Sequence, residues 1–150
     1  MMKNLLLTLF IVLALGFQQC KKDQENFAYC TGCPVSAWDG YYNGSGAYFA
    51  PEPSDNADGI EVKVTIVNTY DSTLKITVDV PGYITENFTT SKKDENHYIN
   101  IWSDERSLDL GLSNKGNEYR LTGTVKKNRY NKIDEVWEVD RYVSFETYKN

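Results

Sequence analysis

The sequence has 150 residues, with 21 acidic against 16 basic side chains and a formal net charge of −5. An acidic chain without a basic stripe repels phosphate backbones, which excludes nucleic acid as a partner. Once the leader described next is set aside, about 130 residues remain, room for one domain with a core and too few for two.

The chain opens with Lys3, an apolar run from Leu5 to Phe17, and Cys20 followed by Lys21-Lys22-Asp23. The run is shorter than the roughly 20 apolar residues that cross a bilayer, and it has the length of a signal-peptide core. Residues 1–19 are therefore read as an export leader. Phe17-Gln18-Gln19-Cys20 resembles a relaxed lipobox, and the Cys-Lys-Lys-Asp tail resembles envelope lipoproteins of the Bacteroidota. The resemblance implies a lipid anchor such as palmitate on Cys20 and a place on the outer membrane or a periplasm-facing membrane. Each acyl chain would contribute about 0.8 kcal/mol per buried methylene. Ala14-Leu15-Gly16 offers the alternative, ordinary secretion with cleavage after Gly16. Cysteine arithmetic favours the lipid: of three cysteines, Cys20 modified leaves Cys30 and Cys33 as an even pair.

Residues 20–37 are read as anchor and stalk, ending in Cys30-Thr31-Gly32-Cys33-Pro34. From Trp38 to the C-terminus, residues 38–150, the pattern is that of strands. Ile60 to Ile66 and Leu74 to Val80 alternate apolar and polar residues around a turn at residues 68–72, an antiparallel hairpin with one buried face. Ile60, Val62, Val64 and Ile66 are expected to face inward. The other predicted strands are Gly40 to Phe49, Tyr83 to Thr90, His97 to Trp102, Leu108 to Leu112, Tyr119 to Lys127 and Val136 to Tyr148. Pro81-Gly82 and the polar stretches 92–96, 113–117 and 128–132 punctuate them as turns. No window of helical length follows the leader. About eight strands joined by short turns predict an all-β, antiparallel up-and-down barrel, with a β-sandwich as the alternative. A closed barrel would leave no exposed strand edge.

Trp38-Asp39-Gly40-Tyr41-Tyr42-Asn43-Gly44 and Tyr119-Arg120-Leu121-Thr122-Gly123-Thr124-Val125 resemble strands of the calycin-like, lipocalin-related domains of such lipoproteins. That resemblance implies a barrel able to hold a small apolar molecule.

Few residues suggest chemistry. Cys30-x-x-Cys33 reads as a local disulfide staple, with thiol-disulfide redox and metal binding as alternatives. Ser54 to Gly59 resembles the start of a calcium loop, but Thr65 stands where its twelfth-position glutamate belongs. Glu52, Asp55, Asp58 and Glu61 are accordingly read as a solvated turn, with no metal and no cofactor. Asp104-Glu105 and Asp134-Glu135 are acid pairs in turns. His97 is the single histidine, without a nucleophile elbow to serve. Asp71-Ser72-Thr73 resembles the O-glycan acceptor triplet of Bacteroidota.

Aromatic residues crowd the first and last strands, which are neighbours in an eight-stranded barrel. Tyr41, Tyr48, Trp137 and Tyr142 are the candidate ligand-binding rings, with cross-strand packing as the competing role. The expectation is a non-catalytic binding or interaction module, or a carrier of a small apolar ligand, with an envelope protein or that ligand as partner. An envelope enzyme or redox protein using Cys30 and Cys33 is the alternative.

Overall fold

The computed structural model describes residues 26–69, 72–92 and 96–150. The leader, Cys20 and the lysines after it lie outside these residues, as does Asp71 of the Asp-Ser-Thr triplet.

Alternating apolar residues build one antiparallel sheet. Its strands are β1 (Ala28–Tyr29), β2 (Gly40–Phe49), β3 (Ala57–Asn68), β4 (Thr73–Val80) and β5 (Ile84–Ser91). They continue as β6 (Tyr98–Trp102), β7 (Arg106–Lys115), β8 (Glu118–Asn131) and β9 (Val136–Lys149). The order across the sheet runs from β5 through β4, β3, β2, β9 and β8 to β7, whose far edge carries both β6 and β1. From β2 onward each strand pairs with the next in sequence except at β5–β6, and the first long strand pairs with the last, β2 with β9. This is the all-β up-and-down arrangement the alternation predicts.

Parity fixes what faces inward. Val62, Val64 and Ile66 of β3 and Leu74, Ile76 and Val78 of β4 are at most 1% exposed. Leu108 and Leu112 of β7, Leu121 and Val125 of β8 and Val143 of β9 are all 0% exposed. A ligand-sized chamber would leave accessible area on the side chains around it; these keep 1% or less, so they fill the interior themselves.

Three expectations need correction. The sheet does not close, because β5 and β6 do not pair. The chain leaving β5 stays with β4 instead of crossing the gap: the Lys92 N–H donates to the Ser72 carbonyl at 3.0 Å, one step beyond the Thr73–Ser91 pair. The expected turn at 128–132 is strand as far as Asn131, so β8 and β9 extend past their neighbours as a two-stranded arm. A register shift between Lys127 and Asn128 marks its root. The stretch expected as stalk already joins the fold, through β1 and through Phe27, whose ring lies 5.8 Å from that of Tyr148.

Candidate functional site

The two ends of the rolled sheet differ, and the difference originates in residues 30–38. At the end where the chain enters, Val35–Ala37 forms a short 3-10 turn that delivers Trp38, 1% exposed, into the core. The Tyr42 hydroxyl shares its one proton between the Trp38 and Ala37 carbonyls, at 3.0 and 3.2 Å, and the Lys149 ammonium donates to Ala37 O at 3.2 Å. Burial pushes the Tyr42 hydroxyl well above the ordinary tyrosine range, helped by Tyr119 and Asp39. That hydroxyl is a donor that stays protonated. Cys30 and Cys33 are joined as a disulfide, with Cα atoms 5.4 Å apart, at the edge of this plug. Cys30 is 2% exposed, and its N–H donates to Leu112 O at 3.0 Å.

The opposite end is a mouth lined by charge. Glu86 of β5 shares the inward parity of Ile84 and Phe88, and its carboxylate meets two cations. Arg106 Nη1 lies 3.1 Å from Oε2 and Lys127 Nζ lies 3.2 Å from Oε1. The Glu86 side chain is 8% exposed against 45% for Arg106 and 50% for Lys127, so one buried anion is held by two half-solvated cations. The Arg106 guanidinium also sits 5.1 Å from the centre of the Phe88 ring. Glu86, Arg106 and Lys127, with Glu105, Asn128 and Trp137, line a concavity of about 330 Å³ open to solvent. Arg141 crosses the mouth to donate to Tyr83 O at 2.7 Å. The pairs Glu86–Arg106, Glu86–Lys127 and Arg141–Tyr83 thus tie the β5 side of the sheet to the β7–β9 side where backbone pairing is missing.

Beyond the mouth projects the arm. Its turn is held by Asn131, whose Nδ2 donates to Asp134 Oδ2 and Glu138 Oε1, both at 2.8 Å. Asn128 fastens the root, donating to Glu105 O and Asp104 O, both at 2.7 Å. The arm leaves large apolar groups in water: Ile133 is 91% exposed, and Tyr130, Val136, Trp137 and Val139 are each more than two-fifths exposed.

Of the four candidate rings, Tyr48 faces inward near the mouth against Tyr83 at 4.8 Å, and Trp137 lies on the arm against Tyr130 at 5.3 Å. Tyr142 is on the outer wall against Phe49 at 5.4 Å, with the Lys126 ammonium 5.5 Å from its ring centre. Tyr41 is exposed near the plugged end. The first three share one half of the molecule without forming a single site, and Tyr41 is remote from them.

The remaining candidates lie in turns, at strand ends and, for Asp58 and Glu61, within β3. Asn56 caps the β2–β3 connection by accepting from Ala50 N at 2.9 Å, and Asp58 accepts from Gly59 N at 2.8 Å. Glu52 and Asp55 are exposed, and among the described residues no three His, Cys, Asp or Glu side chains gather as for a metal. Asp104-Glu105 and Asp134-Glu135 lie in the connections at the mouth end, and Ser72 and Thr73 at the start of β4. His97 stacks on Tyr29 at 4.5 Å.

A further concavity lies on the outer wall, a trough of about 1000 Å³ crossing β7, β8, β9 and β2. Its floor is made of small residues at outward positions, among them Gly111, Thr122, Ser144 and Ala47. Sequence reading missed both it and the Glu86 cluster. Glu86 was signalled by a charge at an inward position; the trough becomes visible only when outward positions of four strands are laid in register.

Because only Glu86 of the mouth cluster is buried, the two ways of breaking it are unequal. Replacing Arg106 and Lys127 together by alanine leaves a buried carboxylate unpaired and should lower stability by about 3 kcal/mol. Glu86→Gln leaves two cations that water can reach and should cost about 1 kcal/mol. Urea unfolding of both variants checks the order.

Comparison with protein-family models gives no match, and comparison with curated proteins gives no significant relative.

Proposed function

We propose that this chain is an exported, lipid-anchored envelope lipoprotein whose β domain is a non-catalytic binding or interaction module. The observation that carries the proposal is the polarity of the domain. The segment leading back to Cys20 enters at the plugged end, and the arm with its exposed rings projects from the other. A module anchored through Cys20 would therefore hold the arm away from the membrane, towards an envelope partner. Among the described residues, no helix is long and apolar enough to cross a membrane.

The filled interior favours an interaction module over a carrier of an apolar molecule. Calycin-like kinship belongs to the same proposal, supported by the meander and by the pairing of its first and last strands. The redox alternative is weakened by the placement of Cys30, which is buried and tied to Leu112; exchange requires a thiolate to reach a disulfide sulfur.

Two measurements test this reading. Labelled palmitate should enter the wild-type chain and not Cys20→Ala; a wild type without label would place the protein among ordinary secreted ones. Replacing Cys30 and Cys33 together by alanine should lower unfolding free energy by about 2 kcal/mol, as expected for so short a loop. The wild type should not accelerate insulin reduction by dithiothreitol, and acceleration lost in the double variant would establish the redox alternative.

A further inference from the structure

The trough on the outer wall has a floor built by register. In one cross-strand row Gly111, Thr122, Glu146 and Ser45 stand side by side, and in the next Asp109, Thr124, Ser144 and Ala47. Neither row holds a ring or a branched aliphatic chain. The rows that flank them are taller: Lys126, Tyr142 and Phe49 on the mouth side, Arg120 and Tyr148 on the plugged side. The depression therefore runs across the strands, from Tyr98 and Asn100 on β6 to Asp58 on β3. Five strand spacings make it about 24 Å long.

Its polar groups are held in place before any ligand arrives. Asp109 accepts from Asn100 Nδ2 and from Thr124 Oγ1, the latter at 3.4 Å, so one carboxylate links side chains from three strands. Glu146 is held by Arg120 Nη1 at 3.3 Å and by the Tyr148 hydroxyl, a hydrogen bond that raises the Tyr148 pKa. An ionised carboxylate has about four acceptor sites, so both still have lone pairs to offer, beside hydroxyls that both donate and accept. At the β6 end stand exposed rings: Tyr29 against His97 at 4.5 Å, and Tyr98 against His97 at 5.6 Å.

We propose that this trough binds a neutral oligosaccharide chain, its hydroxyls on the Asp109 and Glu146 rows and a sugar face on the Tyr29–Tyr98 rings. A pyranose presents hydroxyls at its edges and C–H groups on its faces, and the trough offers oxygens along its floor and aromatic surface at one end. Asp58, Asp109 and Glu146 line it without a lysine or arginine, which disfavours uronic acids and phosphates. Apolar groups such as Ala47 and Gly111 share the floor with the oxygens of Asp109, Thr122, Thr124 and Ser144, a mixture that suits a sugar with its C–H faces and hydroxyl edges better than a purely apolar molecule. A basic peptide is the competing ligand, but an added strand needs a free sheet edge and this is a sheet face. Arg120 already neutralises much of Glu146. The trough lies on the wall, apart from the arm and the mouth, so the failure of either assignment leaves the other standing.

The test is isothermal titration of the full chain in detergent with cellohexaose, maltohexaose, xylohexaose and mannohexaose, beside hexagalacturonate and hexalysine. At least one neutral hexasaccharide should bind saturably and with little dependence on salt. Gly111→Leu fills the floor, since a Cβ there would stand 3.3 Å from Thr122 Oγ1; it should weaken binding at least about tenfold with thermal unfolding unchanged. Asp109→Ala should do likewise and serves as the second probe if Gly111→Leu unfolds. The proposal is overturned if no neutral saccharide binds, if binding survives both substitutions, or if only hexalysine binds and salt abolishes it.

Discussion

The fold depends on backbone being able to approach backbone where β2 meets β9, and inward-facing glycines allow it. A Cβ on Gly44 would stand 2.1 Å from the Glu146 carbonyl oxygen, and one on Gly46 would stand 2.5 Å from that of Ser144. Gly123 repeats the arrangement on β8, where a Cβ would fall 2.5 Å from Asp109 O. Phe145 occupies the space these residues leave. It pairs with Gly46 on one side and Gly123 on the other, and it is 5% exposed. One large ring between two glycines is the small–large alternation that lets a tightly rolled sheet pack without voids. Any side chain at these glycines would push β2 from β9, and the first strand would lose the last.

Rolling the sheet this tightly determines which surfaces a ligand could reach. The interior is occupied by valine, leucine and isoleucine from seven strands, with Trp38 and Tyr42 stopping one end. The accessible surfaces described above therefore lie on the outside: the mouth, the arm and the outer trough. The open seam between β5 and β6 adds a second constraint. Glu86, Arg106, Lys127 and Arg141 bridge by side chains what the backbone leaves unpaired, and charge can do so because the cations stay half in water while only one carboxylate is buried.

The sequence made the walls legible and hid the surfaces. Alternation over Ile60 to Ile66 and Leu74 to Val80 identified the inward face of β3 and β4, because period two leaves no freedom once one face is buried. The adjacency of first and last strands followed from counting strands. Missing from that reading were elements with no period to detect: β1 is two residues long, and the plug at Val35–Ala37 is a single turn. The arm was missed because Asn128 to Asn131 has the composition of a turn, whereas Asn131 serves the next turn with its side chain. Glu86 was legible in principle, as a charge between Ile84 and Phe88 at inward parity. The trough was not, since Gly111, Thr122 and Ser144 are far apart in the chain and become neighbours only through pairing.

The central claim is that this barrel-like domain is filled, which confines the proposed binding to its outside. Titration of the full chain with a fluorescent long-chain fatty acid, followed by emission of the probe, tests it most directly. The account predicts no saturable one-to-one binding, because Val62, Leu108, Leu121 and Val143 leave no accessible surface within the sheet. A stoichiometric complex that unlabelled lipid displaces would contradict it and make the domain a carrier.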